Sequence, residues 1–179
     1  MNGDFHRLIF AAFLIFAVVN ANAADKLAIR IGNQTISYWR TADLDAAKKE
    51  AAAEHKPIAW IASDPKYLNS SLKISSTGSG GATLHAFYAL RSRTVLIFED
   101  GFAGNHKVLQ IVDDAVHTTN GQPDHHPIGP KVIFLNPDCT KVLAEVDFES
   151  DFVKRAHALA DALNQAEEKM KSAPDATKQ

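Results

Sequence analysis

The spacing of hydrophobic and polar positions changes period several times along this chain. Pro57-Ile58-Ala59-Trp60-Ile61-Ala62 is a short apolar run without a polar interruption, the pattern of a strand covered on both faces. Thr94 to Phe98 and Lys131 to Leu135 have the same character. Val142 to Val146 follows the turn residues Asn136-Pro137-Asp138-Cys139 closely enough to return as the second arm of a hairpin. Helical spacing fills the intervals. Leu44, Ala47 and Ala51 share one face of a stretch rich in alanine, lysine and glutamate. It is predicted to begin at Thr41 or Asp43, both good N-caps, and it must stop before Pro57. Leu84, Phe87 and Tyr88 predict a helix from about Ala82 to Arg91, and Val108, Ile111, Val112 and Ala115 another from about Asn105 to Val116. The longest stripe is the last: Phe152, Ala156, Leu159, Leu163, Ala166 and Met170 keep a 3.6-residue period behind Ser150, the expected cap, and read as core packing.

The rest is connection. Leu27 to Ile31 is a possible short strand in the leader from Ala24 to Arg40. Asn69 to Gly81 is rich in serine and glycine, so it reads as a flexible surface excursion with Gly78-Ser79-Gly80-Gly81 as linker. Thr118 to Pro130 is a loop carrying Asn120-Gly121, Pro123, Pro127 and Gly129. Residues 24–171 are expected to form one domain, and 172–179 a polar, disordered tail.

Residues 1–23 have a different pattern: a short polar start with Arg7, an apolar run from Leu8 to Val19, and Ala21-Asn22-Ala23. These are the three zones of a secretory signal peptide, with cleavage expected before Ala24. At about 1.5 Å per residue the run reaches about 18 Å, short of a hydrocarbon core of about 30 Å. The expected product is periplasmic or secreted, with no stable membrane anchor after cleavage.

Composition narrows the function classes. Of 179 residues, 46% are hydrophobic and 22% charged, which excludes a disordered or collagen-like chain. The net charge of -2 offers no basic footprint for a phosphate backbone, so no nucleic acid is expected among the partners. Cys139 is the one cysteine, which forbids an intramolecular disulfide and a dithiol redox cycle.

Two segments, Asp43 to Ser63 and Gly129 to Val146, carry a family resemblance. Ala47-Lys48-Lys49-Glu50, Lys56-Pro57 and the apolar run after them, followed at a distance by Gly129-Pro130, the strand Lys131 to Leu135 and Asn136-Pro137-Asp138, resemble a thioredoxin-like domain. The resemblance implies an α/β fold, a three-layer sandwich whose central mixed sheet has helices on both faces. It implies a cis peptide bond before Pro130 and a peptide-binding groove. In redox members a C-x-x-C motif follows the first core strand, where a helix N-terminus favours the thiolate. The matching positions here are Asp64-Pro65-Lys66-Tyr67, which contain no sulfur. Disulfide oxidoreductase activity is therefore not expected, and the reading that follows is a redox-inactive module. It would bind an envelope or secreted protein or peptide through Asp64, Pro65, Lys66, Tyr67, Gly129 and Pro130.

A second chemistry is written in the loop before Pro130. His117, Asp124, His125 and His126 are imidazole and carboxylate donors of the kind that suit zinc or copper. Adjacent histidines on extended backbone point apart, so a shared ion would need the turn that Pro123 and Pro127 could provide. The bland reading is a solvated polar loop. Cys139, in a turn beside Asp138 with Lys141 as the near cation, lacks the positive setting that activates a thiol and reads as a bystander.

Overall fold

The computed structural model describes residues 25–68, 72–100, 109–117 and 130–172. Among these residues the chain is an α/β protein with a six-stranded mixed sheet and four α-helices. In chain order these are β1 (Leu27–Ile31), β2 (Gln34–Arg40), α1 (Leu44–Glu54), β3 (Ile58–Ser63), α2 (Ser79–Leu90), β4 (Val95–Asp100), α3 (Gln110–His117), β5 (Lys131–Leu135), β6 (Val142–Val146) and α4 (Phe152–Lys171). The spatial order of strands is β1-β2-β4-β3-β5-β6. β4 runs parallel to both β2 and β3, β5 pairs antiparallel with β3, and the β1–β2 and β5–β6 pairs are antiparallel hairpins.

The apolar run of β3 has its cause in this order. Flanked by β4 and β5, all six of its residues are buried, and so are all five of β5. Successive side chains leave a strand in opposite directions, and β3 accordingly divides between two clusters. Ala59 and Ile61 join residues of α2 and α4, including Leu84, Phe87, Leu159 and Leu163. Ile58, Trp60 and Ala62 join Ala47 and Ala51 of α1 and Val112 and Val116 of α3. In the first cluster Tyr38 meets Phe87 edge-on with ring centroids 5.2 Å apart, and Phe87 lies 5.6 Å from Phe98, a geometry that favours aromatic pairs beyond their buried area.

Several element boundaries differ from the pattern-based reading, each for a local reason. β2 was not anticipated. It pairs with β1 through a two-residue turn in which Gly32 has φ +61°, a conformation that glycine adopts without steric cost. α4 is capped by Asp151 and not by Ser150: its carboxylate oxygen accepts from Lys154 N–H at 2.9 Å. α1 starts at Leu44 without a side-chain cap and ends on His55 at φ 52°, with backbone N–H groups of His55 and Lys56 closing onto Ala52 and Ala51 carbonyls.

Gly78-Ser79-Gly80-Gly81 is the clearest departure. It is not a linker: α2 begins at Ser79, and Gly80 and Gly81 are buried in its first turn. A Cβ on Gly81 would stand 2.6 Å from the Ser76 carbonyl oxygen and 2.9 Å from that of Lys73. Glycine is there because the segment before α2 lies directly on the helix.

Candidate functional site

The register of β3 and β5 assembles the predicted binding residues. Ala62 pairs with Lys131, so Asp64, two residues beyond Ala62, and Pro130, one before Lys131, leave the sheet at the same end of adjacent strands. Asp64 to Tyr67 form one compact turn. The Asp64 carboxylate accepts from Lys66 N–H at 2.9 Å, its carbonyl accepts from Tyr67 N–H at 2.9 Å, and Lys66 Nζ stands 2.7 Å from its other oxygen. Lys66 Nζ also lies 4.9 Å from the centre of the Tyr67 ring. The bond to Lys66 holds the Asp64 carboxyl below its usual range, and the reciprocal bond raises the Lys66 ammonium. Both side chains reach solvent, which makes this a presented charge pair of little stabilising value. Pro65 belongs to the same turn.

Pro130 is buried. The space beside it, lined by Val132, Val146, Phe148, Arg155 and Leu159, is about 10 Å³, room for about one water. Gly129 lies outside the described residues, and with it the peptide bond into Pro130. Among the described residues no peptide bond is cis.

Beneath the turn the sheet end is polar but covered. Ser63 Oγ and Thr83 Oγ1 are 2.8 Å apart, and Thr83 Oγ1 donates to the Ser79 carbonyl at 2.9 Å, which ties the end of β3 to the first turn of α2. Glu99 and Lys131 both pair with Ala62 from its two sides, and they are only 4% and 2% exposed. Glu99 accepts from Trp60 Nε1 at 2.9 Å. Lys131 donates to the Ala115 carbonyl near the end of α3 and forms ion pairs with Glu145 at 2.8 Å and Asp147 at 3.3 Å. Sequence reasoning missed both charges because each stands at an end of an apolar run, where a solvated residue is the ordinary expectation.

The predicted metal donors are not brought together by anything described: Asp124, His125 and His126 lie outside the described residues, and His117 is the last residue of α3. Among the described residues no group of three or more histidine, cysteine, aspartate or glutamate side chains is placed to hold a metal.

Cys139 is at the other end of the sheet. Leu135 pairs with Ile58, the first residue of β3, so the turn holding Cys139 lies beyond the start of that strand. The thiol is buried, and burial pushes its ionisation up to about 11, with Lys48 opposing and Asp138 adding to the shift. A cavity of about 310 Å³ also lies away from the predicted edge, lined in part by Trp39, Glu50, Glu54, Lys56 and Arg91. Four of its charges pair with one another: Glu54 with Lys56 at 2.7 Å, and Glu50 with Lys26 while it also accepts from the Trp39 indole N–H; Arg91 instead donates to the Tyr88 carbonyl and stacks on the Tyr88 ring.

Fold and site together define an α/β domain with a compact Asp64–Tyr67 turn beside Pro130, in which Lys66 is exposed and Asp64 and Tyr67 are half-buried, and with its one thiol buried at the opposite end. No protein-family model, no curated protein and no solved structure gives a significant match to the chain.

Proposed function

We propose that this chain is an exported, redox-inactive thioredoxin-like domain that binds a protein or peptide at the edge formed by Asp64, Pro65, Lys66, Tyr67, Gly129 and Pro130. The observation that carries the proposal is the pairing of Ala62 with Lys131, which sets the 64–67 turn and Pro130 side by side although Tyr67 and Pro130 are 63 positions apart in the sequence. The order of elements supports the family reading: two parallel βα units feed a mixed sheet that finishes in an antiparallel hairpin and a terminal helix. The chemistry supports binding over turnover, since the turn offers a carboxylate, an ammonium and an aromatic ring while the sole thiol is buried elsewhere. Export is the reading of residues 1–23, and among the described residues no helix is long and apolar enough to cross a membrane.

A photo-crosslinking residue in place of Tyr67, compared with one in place of Thr140 at the far end, tests the proposal in the envelope or culture fluid of the native host. A discrete protein or peptide adduct from position 67 and none from 140 is expected. Equal yields from the two positions would remove the reason for choosing this edge.

A further inference from the structure

Arg155 of α4 is a heavily bonded buried group, 3% exposed. Its five N–H donors are all engaged. Nη2 donates to the carbonyls of Ile74 at 2.9 Å and Ser76 at 3.2 Å. Nη1 donates to those of Glu149 at 2.8 Å and Ser150 at 3.3 Å. Nε donates to His85 Nδ1 of α2 at 3.1 Å. One guanidinium thus pins the segment before α2 and the β6–α4 connection to the helix pair, and a neutral histidine is its fifth acceptor. His85 is 5% exposed and lies against the Phe152 ring, with centroids 4.6 Å apart.

Because Nδ1 accepts, the ring proton sits on Nε2. A second proton, taken from water, would bond to Nδ1, turn the acceptor into a donor and set an imidazolium against a guanidinium that cannot deprotonate. The surroundings offer that charge little relief. On its own helix His85 is flanked by Leu84 and Ala86; from α4 it faces Arg155 and Phe152. Burial lowers the Arg155 guanidinium from its ordinary value, opposed by Glu149 and Asp151 in the connection, which favour its charged form. Burial first, then Arg155, lower the imidazole from 6.5 to about 4.

We propose that the His85–Arg155 pair is an acid-operated latch: protonation of His85 breaks its bond to Arg155, sets two cations together and displaces the guanidinium, which loosens its bonds to the segment Ile74–Ser76 and to the connection Glu149–Ser150. This does not depend on the peptide-binding reading. The sign follows from linkage. The latched form binds fewer protons than the open one between about pH 6.5 and 4, so latching is fully present above that window and weakens as pH falls through it.

Amide hydrogen exchange on the exported protein tests this, read at residues 74–76 and 149–151 and corrected for the intrinsic pH dependence. With an open-state imidazole near 6.5, exchange is expected to rise about thirty-fold from pH 7.5 to pH 5. The rise should be absent in His85→Gln, which keeps an acceptor and cannot titrate. No rise in the wild type, or the same rise in the variant, would overturn the latch. If His85→Gln fails to fold, the wild-type imidazole resonances decide: an Nε2–H tautomer titrating near pH 4 is expected, and a midpoint of 6 or above would overturn it.

Discussion

Burial, more than the neighbours in sequence, sets the ionisation of the Cys139 thiol. It is 5% exposed, and burial pushes its ionisation from 9.0 up to about 11, so at pH 7.5 its thiolate fraction is about 100-fold below that of the unburied thiol. A thiol reagent should therefore react at least about 100-fold more slowly with the native protein than with the urea-unfolded chain; similar rates in the two states would show that the side chain is not shielded. The lack of nearby cations in sequence was legible, but burial and the approach of Lys48 from α1 were not. The buried polar residues were hidden for the same reason. His85 and Arg155 are 70 positions apart, and nothing local to either marks it as the partner of the other. Arg155 falls within the polar interval of the α4 stripe, where a solvated arginine is the default.

At the scale of elements, legibility followed amphipathicity. α4 was readable because Leu159, Leu163 and Ala166 are buried at its 3.6-residue spacing, and β3, β5 and β6 because turn residues or helices bound their apolar runs. β2 was missed: its alternation is broken by the adjacent buried Tyr38 and Trp39 and begins with exposed Gln34 and Thr35. The start of α2 was misread because glycine and serine signal flexibility in composition, whereas here the missing Cβ admits the backbone of Lys73 and Ser76. That contact reverses an ordinary rule. Glycine to alanine in a helix is normally worth about 1 kcal/mol of stabilisation. At Gly81 the added methyl would meet backbone at 2.6 Å, and overpacking of this kind costs about 1–3 kcal/mol. Gly81→Ala should lower the urea midpoint of unfolding, and an unchanged or higher midpoint would show that the segment is not seated on α2.

On the scale of the whole molecule, two ends of one sheet carry different chemistry. The end near Cys139 is closed by a hairpin turn in which the Asn136 side-chain oxygen accepts from the N–H groups of Thr140 and Lys141, each at 2.9 Å. The other end presents the Asp64–Tyr67 turn over the buried Ser63–Thr83 and Lys131 contacts. The α/β class and its mixed sheet were legible in the order of elements; the convergence of residues 64–67 with Pro130 was implied by the resemblance alone, and the strand register supplies its geometry. The export reading makes its own prediction. N-terminal sequencing of the protein from its native host should begin at Ala24, and a mature chain beginning at Met1 would contradict it. The central claim concerns the presented edge, and the dissociation constant of the crosslinked partner tests it most directly. Lys66→Ala and Tyr67→Ala should each weaken binding about tenfold or more, while Lys141→Ala at the opposite end leaves it unchanged. Undiminished affinity in the first two variants, or a loss confined to Lys141→Ala, would contradict the account.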